Sequence, residues 1–133
     1  MIRLLTALFL FVAIPGHALA SGSMVLLTQG STKVNAYLAL PAGQGTHPGV
    51  IVVHEWWGLT DWVKQQSDSL ARNGYVALAV DLYGGRVAHD EGTAHQLMNS
   101  LDQTQAVDQL RAGADFLRSR SGSRPRTRGF VPP

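Results

Sequence analysis

Four consecutive β-branched residues, Val50-Ile51-Val52-Val53, form the feature that most limits what this chain can become. Such side chains favour extended backbone, and an unbroken apolar run, unlike an alternating one, is expected of a strand covered on both faces, as in parallel sheets. The run stops at His54-Glu55-Trp56-Trp57-Gly58. The sequence then predicts a helix over 61–73, with Asp61 suiting the positive end of its dipole and Asn73-Gly74 as a left-handed stop. A second apolar strand, 75–80, closes on Asp81. Strand, helix and strand at this spacing make a βαβ unit, which implies parallel strands and a right-handed crossover. The class is therefore α/β.

Upstream, 24–28 and 34–40 read as strands joined by the turn-rich Gln29-Gly30-Ser31-Thr32, an antiparallel hairpin. Val34, Ala36, Leu38 and Leu40 alternate with Asn35, Tyr37 and Ala39, so one face is expected to be the more buried. Downstream, 93–101 and 104–118 read as helices; in the second, Ala106, Val107, Leu110, Ala114 and Leu117 share a face. With 133 residues the chain has material for one domain.

The first twenty residues stand apart. A short basic start at Arg3, an apolar run from Leu4 to Ile14 and the small residues Ala18-Leu19-Ala20 form the pattern of an export leader, cleaved after Ala20. The run is shorter than the roughly 20 apolar residues a membrane span needs. A periplasmic or secreted protein with no membrane span after processing is expected. The remainder divides into a domain over 21–118 and a basic Ser/Arg/Pro tail over 119–133, expected to be disordered.

Charge is segregated. Five arginines lie at or beyond Arg118, whereas residues 21–117 hold five basic residues against nine acidic ones, a net charge of −4. The folded part is acidic, which argues against a nucleic-acid partner despite the basic total.

In open α/β sheets ligands sit beyond the carboxyl ends of the parallel strands. Two polar clusters fall there: His54 to Gly58 after one strand, and Asp81-Leu82-Tyr83-Gly84-Gly85-Arg86 after the next. A zinc reading fails, because His54-Glu55 lacks the second histidine of H-E-x-x-H, position 58 being glycine. His89, Asp90, Glu91 and His95 read as solvated polar residues around a helix start, and no metal is expected. Gly43-Gln44-Gly45 precedes a strand instead of following one and is no dinucleotide fingerprint. Asp81 is expected to cap its loop or to orient Arg86. There is no cysteine, and no serine stands in a G-x-S-x-G context. The chain shows the floor of an active site and no attacking atom.

The stretches "VIVVHEWWGLTDWVKQQSDSLARNGYVALAVDLYGG" and "LDQTQAVDQLRAGADFL" together resemble the first half of the dienelactone hydrolase (carboxymethylenebutenolidase) family. That resemblance implies a partial α/β-hydrolase fold, an N-terminal β-hairpin plus a parallel βαβ sheet with flanking helices. It implies hydrolysis of a small-molecule ester or lactone through a covalent acyl-enzyme, without cofactor or metal. By the same resemblance Glu55 contacts the nucleophilic thiol, and the Trp56 backbone N–H supplies half the oxyanion hole. Trp57 and Tyr83 would wall the pocket, and Arg86, displaced by one extra glycine, would bind substrate carboxylate.

The departure is as clear. The family continues into G-x-C-x-G-G, then an aspartate and a histidine; here the tail "SRSGSRPRTRGFVPP" follows, in which no likeness to the family is seen. A precursor truncated by a frame shift or early stop is expected, with a natural basic tail as the alternative. The chain as written is expected to be inactive, and poorly soluble because the strand 50–53 would keep an unpaired edge. A non-catalytic exported binding or dimerisation module is the competing function.

Overall fold

The computed structural model describes residues 22–121. The expectations for a leader over 1–20 and for the tail beyond Ser121 lie outside the described residues. The elements are β1 (Ser23–Gln29), β2 (Thr32–Ala39), β3 (Gly49–Val53), α1 (Asp61–Arg72), β4 (Val76–Val80), α2 (Glu91–Asn99) and α3 (Gln103–Ser121). One four-stranded sheet has the order β1-β2-β4-β3. β1 and β2 form the expected antiparallel hairpin, β2 pairs antiparallel with β4, and β3 runs parallel to β4 with Val53 opposite Val80.

The sheet is sandwiched, and residue size decides how closely each helix approaches. On one face Ala77 and Ala79 of β4, with Ala39 of β2, present only methyl groups to Ala71 and Val63 of α1. On the other, Leu27, Val34, Ala36, Leu38, Leu78 and Val80 pack with Leu117 of α3. Gly113 brings α3 close: a Cβ there would stand 3.1 Å from Val80 and 3.3 Å from Leu78. Thr60 caps α1 by accepting from the Val63 N–H, and Asn73 ends it, Gly74 following at φ +89°. α3 continues three residues past the expected 118, with Arg118 and Arg120 in its last turn favourable to the helix dipole and Arg120 over the Phe116 ring.

One burial expectation is corrected. The fully buried strand is β4, not the β-branched β3, whose pattern is exposed at both ends and only half-buried between. β3 lies at the end of the sheet, so among the described residues it has a neighbour on one side alone. Val53 is consequently 55% exposed. On β2, Tyr37 is half-buried and Ala39 buried, so both faces are covered, while Leu40 falls beyond the strand and is exposed. No helix of the described residues is long and apolar enough to cross a membrane.

Candidate active site at the carboxyl ends of β3 and β4

Because β3 and β4 are parallel and in register, the loops that follow them emerge at the same rim. A buried histidine ties the two together. The Leu82 N–H donates to His54 Nε2 at 3.1 Å, so the ring hydrogen resides on Nδ1, which donates to the Glu55 carbonyl at 2.7 Å. The Tyr83 ring meets the His54 ring edge-on, with centroids 4.7 Å apart. The Ala88 N–H donates to the Trp57 carbonyl at 2.9 Å. Gly58 is required where the loops touch: its φ is +92°, and a Cβ there would lie 2.5 Å from the Arg86 carbonyl oxygen.

Asp81 is 3% exposed and serves its own loop. Its N–H donates to the Asn35 carbonyl on β2, and its carboxylate accepts from the N–H groups of Tyr83 (3.2 Å) and Gly85 (2.6 Å). Of the two roles left open by the sequence, loop capping is the one present. Arg86 is held instead by its Nε donating to the Tyr83 carbonyl at 3.1 Å, and the residue is exposed. Burial pushes the Tyr83 phenol above its ordinary range, the Arg86 charge acting in the opposite sense.

An aromatic wall rises beside the rim. Trp56 is half-buried between Trp57 (4.9 Å, 58°) and His95 of α2 (5.0 Å, 79°). Trp56 and Trp57 pack on Tyr83, Ala88, Ala94 and Leu97, so α2 docks on the loops of the mouth. Asp90, weighed from the sequence among possible metal ligands, caps α2 through Thr93. The structure thus brings Trp56, Trp57, Tyr83 and Arg86 together. Glu55, expected to point inward, is exposed, and its carboxylate makes no hydrogen bond or ion pair with the described residues. It lies two residues past the carboxyl end of β3, the outer strand of the described sheet. Sequence reasoning missed the parts played by His54 and His95; the signal for His54 was a polar residue placed directly at the end of a buried run.

Residues 34–131 match the dienelactone hydrolase family. The chain belongs to that family. The matched span runs beyond the 118 boundary drawn from the sequence and takes in most of the basic tail. Among relatives, the protein usf of Aquifex pyrophilus is 37% identical over 118 residues, covering 83% of this chain and 49% of that one. Among solved structures, m3DLH is 31% identical with a TM-score of 0.65, over 80% of this chain and 46% of that one. A dienelactone hydrolase-like promiscuous phosphotriesterase from metagenomic libraries is 25% identical with a TM-score of 0.64, over 78% and 45%. The chain spans about half the length of the curated relatives it matches.

Proposed function

We propose that this chain carries the N-terminal half of an ester- or lactone-hydrolysing site of the dienelactone hydrolase type. The supporting observation is the Trp56 N–H: it lies at the carboxyl end of the parallel strand pair and donates to no acceptor among the described residues. An amide held ready in this way can meet the oxyanion of a tetrahedral intermediate with little reorganisation. Trp57 and Tyr83 wall the acyl group, and Arg86 offers its outer nitrogens to a substrate carboxylate. Glu55, exposed at the end of the outer strand β3 with its carboxylate unengaged by the described residues, is available in this reading to contact the family's thiol and govern its ionisation. Acylation of the thiol expels the alcohol, and water then releases the acid.

The sequence contains no cysteine, so these 133 residues do not supply the thiol. The purified chain is therefore inactive in this reading, and a p-nitrophenyl ester should not be hydrolysed above the buffer rate. Turnover that Glu55→Ala abolishes would refute this account of the nucleophile. Sequencing the DNA past codon 133 tests the truncation: a G-x-C-x-G-G motif is expected in some frame, and its absence in all three refutes it. Residues 1–20 act as an export leader in the same reading, so the exported form should begin at Ser21 on N-terminal sequencing. The open edge of β3 favours a second reading, a non-catalytic binding module. Stoichiometric binding of an ester without turnover, whatever lies downstream, would select it.

A further inference from the structure

We infer that His54 is the positioning residue for the Trp56 N–H. The Glu55 carbonyl and the Trp56 N–H belong to a single peptide group, which is planar with oxygen and hydrogen on opposite sides. Whatever fixes that oxygen fixes the direction of the hydrogen. Two donors reach it: His54 Nδ1 at 2.7 Å and the Gly58 N–H at 3.1 Å. The histidine is 8% exposed and is itself immobilised, its Nε2 accepting from the Leu82 N–H and its ring abutting Tyr83. β4's loop therefore clamps β3's loop through one imidazole, and the clamp acts on the far side of the peptide whose N–H is unpaired. Glu55 and Trp56 lie in no helix or strand, so no ladder hydrogen bond would replace this restraint.

The role assigned to the aimed amide rests on the proposed function; the clamp itself does not. The two fail separately in one set of NMR measurements on the purified chain. In the wild type, nitrogen-15 correlation should show the Nδ1–H tautomer of His54 with Nε2 as acceptor; the Nε2–H tautomer would overturn the inference without any mutation. The Trp56 N–H order parameter should be that of rigid backbone, about 0.85, and should fall below about 0.6 in His54→Phe. His54→Asn, whose amide nitrogen replaces Nδ1, should restore it. An unchanged order parameter in His54→Phe, with α1 signals intact, would overturn the clamp. Should His54→Phe not fold, the tautomer and the His54→Asn order parameter decide. Methylphosphonate, a tetrahedral anion, is then titrated: a shift confined to the Trp56 N–H supports its oxyanion role. A rigid Trp56 N–H that ignores the anion refutes that role and leaves the clamp standing.

Discussion

Gly58→Ala should be among the most damaging single-methyl additions in the described fold, for two separable reasons. At φ +92° an L-residue meets its own backbone, which costs about 1–2 kcal/mol. The new Cβ would also lie 2.5 Å from the Arg86 carbonyl oxygen, 3.2 Å from Tyr83 Cδ2 and 3.5 Å from Val87 Cα. Two of those three neighbours are backbone, so the loops after β3 and β4 must separate, and overpacking of this kind costs a further 1–3 kcal/mol, roughly. The total is about 3 kcal/mol, a large share of the roughly 5–15 kcal/mol that holds a domain folded. Gly84→Ala is the control: its φ is +62°, but no atom lies within 4 Å of the added Cβ. It should lose only the conformational part, about 1 kcal/mol. Thermal unfolding followed by circular dichroism reads both, with about 4–8 °C expected per kcal/mol for a domain of this size. Equal losses in the two variants would refute the close approach of the loops.

Leu78→Ala, at a fully buried position packed against Val80 and Leu117, should lower stability by about 2–5 kcal/mol, read as a reduced urea midpoint at unchanged slope. Val53→Lys places a charge at the end of the open strand β3; light scattering at raised protein concentration should fall, with the melting temperature nearly unchanged. Asp90 is held below the ordinary carboxyl value of 3.8 first by the Thr93 hydroxyl and then by its N–H, so its contribution is present above about pH 4 and lost as acid takes the folded carboxylate through its lowered pKa. Asp90→Ala should therefore lower stability throughout the range above about pH 4 and converge with the wild type as the pH falls, which flattens the acid limb of its stability-against-pH curve.

The sequence carried the class and the element order because those depend on short-range pattern. The β-branched run at Val50–Val53, the stop at Asn73-Gly74 and the second run ending at Asp81 dictate strand, helix and strand whatever surrounds them. Which strand is central is another kind of fact. β4 reads Val-Ala-Leu-Ala-Val, less hydrophobic in volume than β3, yet it is the buried one because β2 and β3 flank it. Its alanines are the trace of that position, since small side chains let α1 close on the sheet. The same distinction governs the site. The two clusters, His54 to Gly58 and Asp81 to Arg86, could be named from their place after two strands, because strand ends set position along the sheet, whereas the choice of Trp56, Trp57, Tyr83 and Arg86 within them came from the family resemblance. The clamp could not, because it joins His54 to Leu82 across 28 residues and operates through a carbonyl that every sequence shares. Both nitrogens of His54 are consumed by backbone, which leaves it nothing with which to move a proton and makes it part of the scaffold that aims the neighbouring amide.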